Sequence, residues 1–336
     1  MAVSVSLKKL AEILGLAPST VSRALKGHPD ISRATQERVR ALAQELHYKP
    51  SALALSLRNK RSNSIAMLVP FLGNYFYACA VSSVIRSAYS SGYKVIVFEN
   101  GEDYEQEVKI CQFLQKSGID GLVVAPARTT NDLDHFVKLQ HEGIPMVFFD
   151  RICTGILTDR VVVDDYAGVC SAVEYLIRSG CRRIAFFGSP SHLAISNNRR
   201  MGYEDALRKN GLPVDKELIK ICDNYTEALR LTPELLSLPN RPDAFFAVND
   251  ETAIGVLNVV KAKGLRIPDE VSICGFTNNS LAEVSDPLLT SVDQHGYELG
   301  AIAMRLLIER LNGLRDGNRI VSKIIKTNLV VRQSTR

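Results

Sequence analysis

The sequence is poor in the marks of an enzyme. It contains no GxSxG, GxxxxGK, HExxH or GxGxxG stretch. That removes the serine-hydrolase elbow, the P-loop, the zinc-protease helix and the dinucleotide-binding turn. Its six histidines (28, 47, 135, 141, 192 and 295) fall at no metal-ligand spacing. Asp164 and Asp165 are adjacent, so their carboxyls need not converge as an acid/base pair would. An enzyme is not expected, nor a cofactor or a bound metal. The seven cysteines (79, 111, 153, 170, 181, 222 and 274) are odd in number and form no CxxC pair. They read as reduced thiols of a cytosolic protein, not as a disulfide frame or zinc site. The opening stretch MAVSVSLKKLAEILG lacks the long apolar run and small-residue cleavage site of a signal peptide. No continuous apolar run approaches eighteen residues, so no membrane span is expected.

What is present is ordinary in bulk and lopsided in charge. A chain of 336 residues, 46% apolar and 23% charged, suggests two or three globular domains. The net charge of +5 is unevenly placed. Residues 1–61 hold eleven basic and four acidic side chains, a net of +7; the remainder holds 30 and 32, a net of −2. A basic head on a near-neutral body points to a polyanion partner for the head alone. A solvated basic tail has the same charge, so the residue pattern must decide.

That pattern is three short amphipathic helices. Leu7, Leu10, Ala11 and Leu14 fall at i, i+3, i+4, i+7. Gly15 permits a tight turn, and Pro18 suits a helix first turn, where its missing N–H costs nothing. In the stretch APSTVSRALK, Val21, Ala24 and Leu25 point one way, while Pro18, Ser19, Ser22, Arg23 and Lys26 point the other. Gly27, His28 and Pro29 break this helix, and Ser32 is placed to cap the next. Val39, Leu42, Ala43 and Leu46 repeat the stripe until Pro50 stops it. Two helices joined by a tight turn, with a third, describe a helix-turn-helix unit whose second helix enters the major groove. Small hydroxyls on its outer face let the backbone approach the bases, and Arg23 is long enough to reach a guanine edge. The competing reading is a small helical bundle for protein contact, which leaves the +7 charge unused.

The run SLKKLAEILGLAPSTVSRALKG, followed by ISRATQERVRALAQELHYKPSALALSLR, resembles the DNA-binding head of the lac repressor (LacI/GalR) family of bacterial transcription regulators. The STVSRAL helix and the LHYKPSALALSLR segment are specific to that family. The resemblance implies that Pro18, Ser19 and Arg23 read bases. It places Ser6, Thr20, Ser22, Ser32 and Thr35 near phosphates, where they position without specifying. It also implies a hinge over 51–58. An isolated helix this short is unstable in water, so it should order only with support. In the family two hinges of a dimer pair across the minor groove, and one leucine from each, here Leu57, wedges into a base step. Packing between the two hinges is the alternative for Leu55 and Leu57. Leu55 stands where the family commonly has an arginine.

From residue 64 strands alternate with helices, beginning SIAMLVP, YACAVSSVIRSAYSSG, YKVIVFEN, and the alternation restarts near 165. This predicts two α/β lobes of parallel sheets flanked by helices. The course resembles the family's effector-binding core, which shares the fold of periplasmic sugar-binding proteins. Matching stretches include NYFYACAVSSVI, VVVDDYAG, RPDAFFAVND and RIPDEVSICGF. The expected organisation is an all-α head over 1–50, a hinge and linker over 51–61, and a core over 62–336. Within that core lobe 1 is expected over 62–161 plus 293–323, and lobe 2 over 164–290 plus 327–336. Chain crossings fall near 161–164, 290–293 and 323–327.

Ligands in such folds bind where strand carboxyl ends face each other across the cleft. The expected lining is Asn74, Tyr75, Phe76, Asp150, Arg151, Asp164, Arg199, Asn249, Asp250 and Thr277. Aromatic rings can stack on a ligand ring, and arginine and aspartate can bind hydroxyl or acid groups. Each charged residue has a second reading: Asp150–Arg151 as a lobe–lobe salt bridge, Asp164 and Asp250 as helix N-caps. Phe148, Phe149, Phe186 and Phe187 read as strand core. Thr277 stands where the family usually has an aspartate, and Leu193 and Ile195 where it often has polar or basic contacts. A simple hexose fits such a cleft poorly; a modified or phosphorylated sugar, or another compound, fits better. The run LLTSVDQHGYELGAIAMRLL is similar to the catabolite-control branch of the family, whose regulators take a phosphoprotein corepressor.

The expected function is that of a dimeric, cytoplasmic, nucleoid-associated regulator, most simply a repressor. It would bind palindromic double-stranded operator DNA under a small-molecule effector, with no membrane partner. A protein corepressor is the alternative control. A solute-binding protein would not carry a basic helix-turn-helix head. No leucine heptad tail of the tetramer-forming kind follows the last strand, so a homodimer is expected.

Overall fold

A computed structural model describes residues 5–48, 61–153, 155–190, 193–314 and 319–336. The chain divides into two compact units, residues 1–62 and 63–336. The hinge segment expected over 51–58, with Leu55 and Leu57, lies outside the described residues.

In the first unit α1 (Leu7–Leu14), α2 (Pro18–Leu25) and α3 (Arg33–Glu45) pack around Leu10, Ala11, Val21, Ala24, Val39 and Ala43. Leu7, Leu14, Leu25, Leu42 and Tyr48 close the edges of this core. Ser6 caps α1 by accepting from Lys9 N–H at 3.2 Å. Gly15 ends the helix in the left-handed region at φ 63°, which turns the chain tightly toward Pro18. The loop between α2 and α3 is braced by Gln36, whose amide donates to the carbonyls of His28 and Ile31.

The second unit holds two six-stranded sheets. The first contains β1 (Ser64–Val69), β2 (Lys94–Glu99), β3 (Gly121–Val124), β4 (Met146–Phe149), β5 (Asp159–Val163) and β11 (Ser322–Ile325). Its order is β11-β5-β4-β3-β1-β2, parallel throughout. The second contains β6 (Ile184–Gly188), β7 (Ile219–Ile221), β8 (Ala244–Ala247), β9 (Ser272–Thr277), β10 (Thr290–Asp293) and β12 (Asn328–Val330). Its order is β12-β10-β9-β8-β6-β7, with β12 alone antiparallel. In each sheet strand order reverses beside the first strand, at β1/β3 and at β6/β8. Such switch points open a crevice at the carboxyl ends of the strands.

Helices α4 (Tyr75–Ser90), α5 (Tyr104–Lys116), α6 (Asp134–His141) and α12 (Gly296–Leu311) belong with the first sheet. Helices α7 (Asp165–Arg178), α8 (Ala194–Lys209), α9 (Tyr225–Leu236), α10 (Asp250–Ala262) and α11 (Ser280–Val284) belong with the second. The buried strands read as continuous apolar runs because helices cover both faces. Phe148, Phe149, Phe186 and Phe187 are all core. Gly202 lets α8 lie on α7: a Cβ there would strike the carbonyl of Tyr166.

Candidate functional sites

The first surface is the outer face of α2. Pro18 occupies its first turn, so no backbone donor is lost. Val21 and Ala24 anchor the helix inward, which leaves Pro18, Ser19, Arg23 and Lys26 exposed. Thr20 and Ser22 are half-buried. The hydroxyls of Ser6 and Ser32 are occupied as helix caps. Ser32 accepts from Thr35 N–H at 3.3 Å and shares a 2.8 Å bond with the Thr35 hydroxyl. Each cap takes one N–H, and the remaining free N–H groups of the first turn are the donors a phosphate can meet.

The second site is a cleft of about 400 Å³ where the two sheets present their strand carboxyl ends. Asn74 ends the turn after β1, caps α4 by accepting from Phe76 N–H at 2.9 Å, and lines the cleft with Phe76. Tyr75 is not brought there. It is the first residue of α4 and stays exposed, and Tyr77, two residues and about 200° further round the helix, faces the cleft instead. The Tyr77 hydroxyl donates to Asp150 Oδ2 at 2.7 Å, and burial raises its pKa well above the usual phenol range.

Arg151 lines the cleft but is held from the side. Its Nη1 and Nη2 donate to the two oxygens of Glu102 at 2.5 and 2.8 Å. Burial opposes the charge of Arg151, but Tyr77, Glu102 and Asp150 together hold its pKa above the ordinary guanidinium value. Burial likewise pushes the Glu102 carboxyl up, and its bonds to Arg151 and to the Arg128 N–H hold it below the usual range. Both partners belong to the first lobe, so the lobe–lobe salt bridge envisaged for Asp150–Arg151 is not formed. Among the described residues, an ion pair between the lobes runs from Arg128 to Asp223 at 3.5 Å.

On the second lobe Arg199 is 8% exposed and triply fixed. Its Nε donates to Asp165 at 2.7 Å, its Nη1 to the Val248 carbonyl at 3.0 Å, and its guanidinium carbon stands 4.2 Å from the Phe276 ring centre. Asp164 is not on the cleft. It caps α7, accepting from Ala167 N–H at 3.0 Å, and the next carboxylate, Asp165, turns inward to Arg199. Burial raises the Asp165 pKa against the pull of Arg199. Asp250 is also off the cleft. It is buried at the start of α10, where it accepts from Asn279 N–H at 2.7 Å and from the Ser291 hydroxyl at 2.5 Å. Burial pushes its carboxyl up to about 6. The cap of α10 is Asn249, whose Oδ1 takes Thr252 N–H and whose Nδ2 donates to the Asp223 carbonyl. Thr277 lines the cleft at φ 125°, a strained backbone for a residue with a Cβ. Leu193 and Ile195 add apolar surface.

Glu102, Arg128, Asp223, Glu251 and Gln294 line the cleft and were not singled out from the sequence. Three of them lie two to four residues past a strand end: Glu102 after β2, Arg128 after β3 and Asp223 after β7. Applying the carboxyl-end rule to every strand finds them.

A basic three-helix unit and a two-lobed core with a polar cleft define a ligand-responsive DNA-binding regulator. Comparison with known proteins specifies the class. Residues 6–51 match the model of bacterial regulatory proteins of the lacI family, and residues 173–335 match a periplasmic binding protein-like domain. The HTH-type transcriptional repressor CytR of Escherichia coli K12 is 30% identical over 98% of this chain and 96% of its own. A solved complex of the transcriptional regulator CelR with cellobiose is 28% identical, covers 98% and 99% of the two chains, and superposes with a TM-score of 0.75. The lac repressor dimer bound to operator shares the fold at 22% identity and a TM-score of 0.86, over 99% of both chains. The chain belongs to the lacI family of bacterial regulatory proteins. It is a DNA-binding transcriptional regulator and not an enzyme. No helix among the described residues is long and apolar enough to cross a membrane.

Proposed function

We propose that the protein is a cytoplasmic, nucleoid-bound repressor that grips a palindromic operator as a homodimer and is controlled by a small molecule in the interlobe cleft. The observation that carries this reading is the cleft itself, polar and built at two facing strand switch points in a chain that also bears a basic helix-turn-helix. Pro18, Ser19 and Arg23 are assigned to base edges. Ser6, Thr20, Ser22, Ser32 and Thr35 are assigned to phosphates, and Leu57 to the minor-groove wedge. Asn74, Phe76, Asp150, Arg199, Asn249 and Thr277 are assigned to the effector. Tyr77, Gln294 and Glu251 join them because they line the same walls. Arg151 acts one step back, holding Glu102 in place.

The effector works by binding one lobe arrangement more tightly than the other, which shifts the population able to hold operator. The cellobiose complex of a relative favours a sugar or sugar derivative. The test is a thermal-shift screen of the full chain against sugars, sugar phosphates and nucleosides, followed by operator binding with each hit. A hit that raises the melting temperature and changes operator affinity supports the reading. A hit whose affinity survives Asp150→Asn and Arg199→Met unchanged places the ligand elsewhere and sinks it. Operator affinity should also fall steeply with salt; a flat log–log plot rejects the basic-head assignment.

A further inference from the structure

Glu107 stands near the start of α5, fully buried, and does not line the cleft. Its carboxylate is engaged by four partners. Oε2 accepts from the Asn100 amide at 3.0 Å and from Ala127 N–H at 2.7 Å. Oε1 accepts from the Thr130 hydroxyl at 2.7 Å and shares a 2.9 Å bond with His135 Nε2. Asn100, Ala127 and Thr130 lie in two loops, after β2 and after β3, and the same loops carry Glu102 and Arg128 into the cleft.

The bonds continue from this hub to the cleft wall. Asn100, held by Glu107, accepts the N–H of Glu102 at 3.0 Å. Glu102 stands at φ 62°, a left-handed backbone uncommon outside glycine that persists only where neighbours hold it. From there its carboxylate takes Arg128 N–H at 2.8 Å and both Nη groups of Arg151. Thr129 closes the second loop on the first. Its hydroxyl donates to the Glu102 carbonyl at 2.9 Å and accepts from Tyr104 N–H at 2.9 Å.

Stability alone is a poor reason for such a hub. A carboxylate taken out of water costs desolvation, and well-packed apolar residues in place of a buried ionic cluster are often neutral or better. The cluster also leaves His135 Nδ1 buried with no hydrogen-bond partner among the described residues. That is a loss which selection for stability would remove. What the hub does achieve is to fix two loops against each other behind one wall of the cleft.

We infer that Glu107 is a positioning residue of the cleft: its buried carboxylate sets the places of Glu102 and Arg128 and, through Glu102, of Arg151. This rests on the reading of the cleft as the effector site. Glu107 itself touches no ligand, so its replacement acts on recognition only by releasing the two loops.

Four backbone N–H groups report on this, because each has a side-chain acceptor in the network: Ala127 on Glu107, Glu102 on Asn100, Arg128 on Glu102 and Tyr104 on Thr129. Hydrogen exchange of the full chain, followed by mass spectrometry, reads them in peptides spanning 100–104 and 125–130. Glu107→Met keeps the length of the side chain and removes its acceptors. It should speed exchange in both segments about tenfold or more while β1 and β4 keep the wild-type rate. Glu107→Gln keeps one oxygen for Asn100 and Ala127, and should hold exchange within about threefold of wild type. Wild-type exchange in Glu107→Met overturns the inference. So does faster exchange spread evenly over the lobe, which would make Glu107 a packing residue, and so does a glutamine variant as fast as the methionine one. Should Glu107→Met fail to fold, Thr130→Val decides, since it cuts one bond at a half-buried position. Exchange about threefold faster over 125–130, with 100–104 unchanged, supports the inference, and wild-type exchange in both segments overturns it.

Calorimetric titration with D-ribose, cellobiose and adenosine carries the test into the cleft. A compound that binds the wild type should bind Glu107→Met about tenfold more weakly and Glu107→Gln about as tightly as wild type. Equal affinity for all three proteins overturns the inference. If none of the three compounds binds, the effector reading of the cleft loses support, and the exchange rates alone decide the role of Glu107.

Discussion

The head and the core treat charge in opposite ways. In the head Lys8, Lys9, Arg23, Lys26, Arg33, Arg38 and Arg40 are all exposed around a small aliphatic core. In the core the cations that matter are drawn inward and matched: Arg199 to Asp165, Arg151 to Glu102, Arg310 to a fully buried Asp159 at 2.5 Å. An exposed lysine or arginine costs little to keep and is free to meet a polyanion. A buried pair costs desolvation to form and more to break. The head thus presents a charged surface to a partner, whereas the core uses charge to hold cleft walls in place.

The sharpest way to break this contrast is Arg199→Ala. It strands Asp165, only 5% exposed, without its counter-charge. The expected loss is about 3–5 kcal/mol in denaturant unfolding of the core, with Arg199→Met/Asp165→Leu recovering most of it. A loss below about 1 kcal/mol would put this pair in the class of surface pairs and erase the distinction.

Asp250 gives a second handle, through pH. Its folded pKa of about 6 lies above the ordinary 3.8, so the folded state holds the proton more tightly. Its contribution to stability is full below 3.8 and is lost as pH rises through about 6, a change of roughly 3 kcal/mol. Glu102, with its pKa held low, runs in the opposite sense and loses stability only as pH falls. Asp250→Asn should flatten the stability profile between those two pH values and leave the acid limb in place. A profile unchanged in the variant would assign the titration to another group.

How much could be read in advance follows the same division. The head was legible because its stripes have one period and its polar face is solvent. Leu10, Val21 and Val39 are buried and Arg23 is out. The two lobes were legible from apolar runs alternating with helices. The cleft was legible only in part, because strand ends announce a neighbourhood and not an orientation. Asn74, Phe76, Asp150, Arg199 and Asn249 reach it; Tyr75, Asp164 and Asp250 do not. Of the neighbours Asp164 and Asp165, one caps a helix and the other meets Arg199, 34 residues away. Only the packing of α7 on α8 decides which. Glu102 and Arg128 carried no signal beyond their distance from a strand end.

On the head the comparison is sharpened by Arg23→Ala. Its side chain is exposed, so the folded head should lose almost no stability. Operator affinity should fall by about 1–3 kcal/mol with relaxed base choice at one position. Affinities measured across single-base operator variants check this. An equal loss at every position would make Arg23 a phosphate contact and leave Pro18 and Ser19 as the readers.

The smallest effect asks whether Ser32 serves the fold, the DNA, or both. Its hydroxyl caps α3 through Thr35 N–H, so Ser32→Ala should cost about 1 kcal/mol of head stability, while Ser32→Gly costs only a few tenths. Both variants delete the hydroxyl, so a phosphate contact made by it is lost equally in each. The ratio of their operator affinities, measured well below the melting range, therefore separates the roles. Equal weakening in both assigns the hydroxyl to DNA. Wild-type affinity in both, with only the alanine variant melting early, confines it to the cap and removes Ser32 from the interface.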